Sequence, residues 1–161
     1  MNIHIGLSLG HLTVPEAEHW LHEFQGPILM ACTHLVRDPL PHVAISLELS
    51  STVDLPEHAH ERADARDWHE SRSSGRAVIY PGGGRLTGEL TVAELLEVSA
   101  IEQVKVLGEG FAAPETLVET RDFVRPQWMD GLLTLIATPA GVGHIAPFEI
   151  RNPVECCADK H

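Results

Sequence analysis

Residues 28–36 read Ile28-Leu29-Met30-Ala31-Cys32-Thr33-His34-Leu35-Val36, a run with the length and β-branched content of a strand. Asp38-Pro39-Leu40-Pro41 follows as a turn. Residues 42–50 then alternate, with Val43, Ile45, Leu47 and Leu49 on one face. Two such runs with a short connection predict an antiparallel hairpin. Together with the antiparallel meander read in the last third of the chain, the hairpin sets the fold class as α+β. The expected architecture is a mostly antiparallel sheet with two short helices and a C-terminal tail or helical turn.

N-terminal to the hairpin, residues 2–9 suit a short strand. Thr13-Val14-Pro15-Glu16 is a capping box, and Ala17, Trp20, Leu21 and Phe24 follow at helical spacing, so a helix is expected over 14–24. Gly26-Pro27 ends it. C-terminal to the hairpin, residues 51–75 are rich in charge, histidine and serine and poor in apolar residues, which predicts a long polar His-rich loop. A strand at 76–80 comes next. A second capping box at Thr91-Val92-Ala93-Glu94 predicts a helix over 92–98, followed by a strand at 102–107. Residues 116–125, 132–138 and 144–150 read as an antiparallel meander with turns at Asp130-Gly131 and Pro139-Ala140-Gly141. No repeat or linker interrupts the 161 residues, so a single domain over 1–161 is expected.

Charge narrows the partners. The net charge of −12, from 23 acidic and 11 basic residues, opposes binding to nucleic-acid phosphates or to an anionic membrane. Arg62, Arg66, Arg72 and Arg76 are interleaved with Glu61, Asp64, Asp67 and Glu70, so they form no basic patch. The N-terminal residues lack a basic segment and a long apolar run, which argues against a signal peptide or membrane span. Three cysteines, two of them adjacent, suit reduced thiols and a cytoplasmic setting. A protein partner or a homo-oligomer remains open, as does a small-molecule ligand.

The sharpest chemical signal is the placement of the cysteines. Cys32 and His34 are i, i+2 on a strand and share a face. Cys157 and His161 are i, i+4 and would share a face of a helical turn, with Cys156 as an alternative to Cys157. A strand pair and a helix pair make a Cys2His2 set suited to tetrahedral zinc. The first expectation is therefore a small zinc protein, structural or accessory in role, with ligands Cys32, His34, Cys157 and His161.

A second constellation joins His58-Ala59-His60, followed by Asp64, with Pro139-Ala140-Gly141-Val142-Gly143-His144. These segments resemble the two metal-binding motifs of the cupin family, a His-x-His with a following acid and a Pro-x-Gly-x-x-His. They lack the first motif's flanking glycine and have Phe148 where the family usually has asparagine. The resemblance implies iron, manganese or zinc held by His58, His60, Asp64 and His144 in a small barrel, with an open position for a metal-dependent enzyme. A third expectation is a metal-free interaction module whose histidines are incidental. Pro81-Gly82-Gly83-Gly84 reads as a flexible turn, since no Gly-Lys-Ser/Thr follows it.

Overall fold

The computed structural model describes residues 2–151. In chain order its elements are β1 (Ile3–Ser8), α1 (Val14–Glu23), β2 (Ile28–Val36), β3 (His42–Leu49), β4 (His60–Glu61), α2 (Ala63–Ser71), β5 (Arg76–Ile79), β6 (Glu89–Thr91), α3 (Val92–Val98), β7 (Gln103–Val106), β8 (Gly110–Phe111), β9 (Leu117–Glu119), β10 (Gln127–Met129), β11 (Leu132–Pro139) and β12 (His144–Pro147). The chain divides into two compact units, Met1–Pro81 with Pro126–Leu133, and Gly82–Arg125 with Thr134–His161.

In the first unit the strands lie in the order β4-β1-β3-β2-β5-β10, all antiparallel. The hairpin read from residues 28–50 is its centre: Ala31 pairs with Leu47, Thr33 with Ile45 and Leu35 with Val43. Alternation gives this sheet two unlike faces. Ile3, Ile5 and Leu7 of β1, Ala31 of β2, and Val43, Ile45, Leu47 and Leu49 of β3 meet Ala17 and Leu21 of α1 in an apolar cluster. The opposite face carries His4 and Gly6 of β1, Cys32, His34 and Val36 of β2, and Ala44, Ser46 and Glu48 of β3. There Val36 and Ala44 pack with Ala65 and Trp68 of α2.

Helix α1 begins as its capping box predicts. The Thr13 hydroxyl accepts the Glu16 N–H, and the Glu16 carboxylate accepts the Thr13 N–H at 3.1 Å. Thr13→Ala should cost about 1 kcal/mol, read as a shift in the urea midpoint.

Helix α2 corrects two expectations at once. The segment 51–75 is not a continuous loop, because residues 63–71 are helical, and the described residues hold three helices rather than two. Its N-cap Arg62 makes no side-chain cap bond, so no capping signature announces it. What holds it is packing: Ala65, Trp68 and His69, at i, i+3 and i+4, face the sheet, and Ala65 and His69 are buried. The Arg62 N–H donates to the Gly6 carbonyl at 2.8 Å, joining the helix start to β1.

In the second unit β11 pairs antiparallel with β12 and parallel with β7, β12 pairs parallel with β9, and β9 pairs antiparallel with β6. β8 closes a small hairpin on β7. The expected meander is thus only partly present, since β11–β12 is antiparallel but β9 joins β12 in parallel. Helix α3 starts at its expected capping box, Thr91 with Glu94. Both units combine helix with a mostly antiparallel sheet. No described helix is long and apolar enough to cross a membrane. The expected C-terminal tail or helical turn at 154–161 lies outside the described residues.

Candidate metal centre

The polar residues on the α2 face of the first unit form one connected cluster. Strand pairing sets His4 of β1 directly opposite Glu48 of β3. Cross-strand neighbours of this kind sit close enough for their side chains to meet. Helix α2 lowers His69 onto the same carboxylate. His69 Nε2 lies 3.3 Å from Glu48 Oε1, and His4 Nε2 lies 3.6 Å from that same oxygen. The two imidazoles meet edge to face, with centroids 5.5 Å apart. One ligand atom from each of His4, Glu48 and His69 lies within 4.8 Å of the others. Donors held about 2.0–2.1 Å from a tetrahedral zinc would be about 3.3 Å apart. The two contacts to Glu48 are already close to that spacing.

Glu48 and His69 are also held from behind. Glu48 Oε2 accepts a hydrogen bond from the Asn2 amide at 2.8 Å. His69 Nδ1 is 2.7 Å from Ser46 Oγ. His4 Nδ1 faces Glu70 Oε2 at 3.6 Å, beyond hydrogen-bond distance. Metal-binding histidines commonly have the second ring nitrogen engaged as His69 Nδ1 is, which fixes the ring and its tautomer. His69 is buried, whereas His4 and Glu48 keep 22% and 24% of their side-chain surface exposed, so the cluster is reached from the solvent side.

Protonation states suit a cation. Burial pushes the His69 imidazole below its usual range, against the raising effect of Glu48. Burial alone would raise the Glu48 carboxyl, but the Asn2 amide and His69 outweigh it and hold the group lower than usual. At neutral pH a neutral imidazole therefore faces an ionised carboxylate, and these are the ligating forms.

Behind His69 the cluster continues inward. Ser46 is fully buried, and its hydroxyl lies 2.8 Å from His34 Nε2 as well as beside His69. His34 is buried, its ring is tilted against Trp68, and its Nδ1 has no hydrogen-bond partner among the described residues. Burial, with the neighbouring His69, lowers the His34 imidazole to about 4.

The residues singled out from sequence are distributed as follows. Cys32 and His34 do share a face of β2, but the Cys32 thiol is buried and pushed up to about 12 by desolvation. Cys156, Cys157 and His161 lie outside the described residues. His58 sits in the exposed turn before β4, His60 is on β4 opposite Ser8, and Asp64 pairs with Arg62 at 2.8 Å. His144 belongs to the second unit, where it groups with Glu89 and Glu119, Nε2 lying 3.5 Å from Glu89 Oε2. His58, His60 and Asp64 belong to neither of the two convergent groups among the described residues.

Sequence reasoning missed His4, Glu48 and His69. The available signals were the polar alternates of β1 and β3 and the 65, 68, 69 spacing that betrays α2. No family model, no curated protein and no solved structure matches this chain.

Proposed function

We propose that this protein binds a divalent transition metal, zinc in the first instance, through His4 Nε2, Glu48 and His69 Nε2. The observation that carries this reading is the convergence of two imidazole nitrogens on one carboxylate oxygen, with Glu48 and His69 hydrogen-bonded from behind. Two histidines and one carboxylate leave coordination positions open, unlike a closed four-ligand structural site. An open position lets zinc hold a water and lower its pKa toward neutrality, which is the basis of metal-assisted hydrolysis. The chain's own part is to keep His69 neutral, hold Glu48 ionised and leave the His4 side open to solvent.

Thermal unfolding of metal-free protein against zinc tests the proposal. Free zinc at a hundred times Kd should add about 2.7 kcal/mol, and a chelator should remove it. His4→Ala and Glu48→Gln should each lose most of that gain. A zinc-dependent gain left intact in both variants would contradict the assignment. Cobalt(II) substitution separates the ligand sets. A thiolate-to-cobalt charge-transfer band would favour Cys32, His34, Cys157 and His161, and its absence in a cobalt-loaded sample supports the His/Glu centre.

A further inference from the structure

We infer that Ser46 and His34 are positioning residues of this centre, and that loading the metal reverses a buried hydrogen-bond chain running His69–Ser46–His34. The inference rests on the proposed ligand set.

Without metal, the Glu48 carboxylate requires an N–H at His69 Nε2, 3.3 Å away. His69 Nδ1 is then a bare acceptor and takes the Ser46 hydroxyl hydrogen at 2.7 Å. Ser46 Oγ in turn accepts from His34 Nε2–H at 2.8 Å. Every hydrogen bond points from β2 toward Glu48.

A metal on His69 Nε2 takes the lone pair of that atom, so the ring proton must move to Nδ1. Nδ1–H now donates to Ser46 Oγ. The hydroxyl turns and donates to His34 Nε2, which must become the bare nitrogen, and His34 carries its proton on Nδ1. The protons balance. The Ser46 hydroxyl proton passes to His69 Nδ1 and the His34 Nε2 proton to Ser46 Oγ, while one proton leaves His69 Nε2 for solvent and one reaches His34 Nδ1 from it, so each ring and the hydroxyl end with a single proton.

The feature that permits this is the far end of the chain. His34 Nδ1 is buried and without a partner among the described residues. Neither tautomer of His34 is pinned by a neighbour there, whereas Glu48 pins His69. The His34 ring is buried, lies against Trp68 and occupies the space that a Cβ on Gly75 would need, 2.9 Å from Cε1. Ser46 carries a hydroxyl that can both donate and accept, and it can serve either direction.

The test is two-bond 1H–15N correlation spectroscopy of wild-type protein, 15N-labelled at histidine, during a zinc titration. The expected result is Nε2–H to Nδ1–H conversion at His34 in step with loss of the His69 Nε2 proton. Zinc-induced shifts at His4 and His69 with His34 still Nε2–H would overturn the relay and leave the metal centre standing. No zinc response at His4 or His69 would overturn both. Variants add an independent arm. His34→Leu removes the acceptor that frees Ser46 to receive His69 Nδ1–H, and should weaken zinc binding about ten- to a hundredfold. His34→Gln, whose carbonyl can accept the hydroxyl, should restore most of it. Equal zinc affinity in the wild type and in His34→Leu would overturn the relay.

Discussion

Between pH 6.5 and pH 4 the protein should lose about 3 kcal/mol of stability through His34 alone. The folded chain holds this imidazole at about 4, against 6.5 for an ordinary histidine, chiefly because burial disfavours its charged form. In that window the unfolded chain binds a proton that the folded chain does not, so stability falls as pH falls. Each unit of difference is worth 1.36 kcal/mol, and the difference is about 2.5 units. The loss begins near pH 6.5 and is complete below pH 4. His69 is shifted the same way, also by burial, and adds to it. Glu48 acts at lower pH: its carboxyl is held low, so its stabilising contribution is present above the usual carboxylate range and is lost on acidification through its folded value. Urea unfolding at half-unit steps of pH checks this. His34→Gln should flatten the curve, and a wild-type midpoint constant from pH 7 to pH 4.5 would contradict the buried-histidine account.

Gly6→Ala should be nearly as damaging, at about 3 kcal/mol. A Cβ at Gly6 would stand 2.2 Å from the Arg62 carbonyl oxygen and 2.6 Å from the Arg66 nitrogen. Both are backbone atoms in the first turn of α2, so no side-chain rotation relieves the overlap. The helix must lift off β1, and His69 moves with it away from Ser46 and Glu48. Stability and zinc affinity should therefore fall together. Gly84→Ala is the control, since a Cβ there meets nothing within 4 Å among the described residues and should change stability by less than about 0.5 kcal/mol. A Gly6→Ala protein with wild-type stability would show that α2 does not rest on β1 as described.

The contrast between Gly6 and the two capping boxes explains what was legible. Thr13 with Glu16 and Thr91 with Glu94 announce α1 and α3 because the signal is local, with both partners inside one turn. The β2–β3 hairpin is equally plain from the alternation of Val43, Ile45, Leu47 and Leu49. Helix α2 carries no such mark. Its start is tied to the Gly6 carbonyl, more than fifty residues away, which accepts the Arg62 N–H, and its apolar face is reduced to Ala65 and Trp68 among charged neighbours. Read alone, that stretch has the composition of a loop, and tertiary packing overrides it.

The candidate centre was hidden for the same reason. His4 meets Glu48 only through the register of β1 on β3, and His69 arrives only once α2 is in place. Ser46 and Glu48 sit between core residues of β3 and look like ordinary outward positions. What turns them into a buried polar seam is the helix laid over them. The local clue that sequence did offer, Cys32 with His34 on one face, led to the right face of the sheet but not to Glu48, the carboxylate at its centre.

Anomalous diffraction at the zinc edge, from crystals grown with one equivalent of zinc, locates the ion and its ligands directly. A peak is expected about 2.0–2.1 Å from His4 Nε2 and His69 Nε2 and about 2.0–2.2 Å from a Glu48 oxygen. A zinc peak on Cys32, on the Glu89, Glu119 and His144 group instead, or no ordered peak in zinc-loaded crystals, would contradict the assignment.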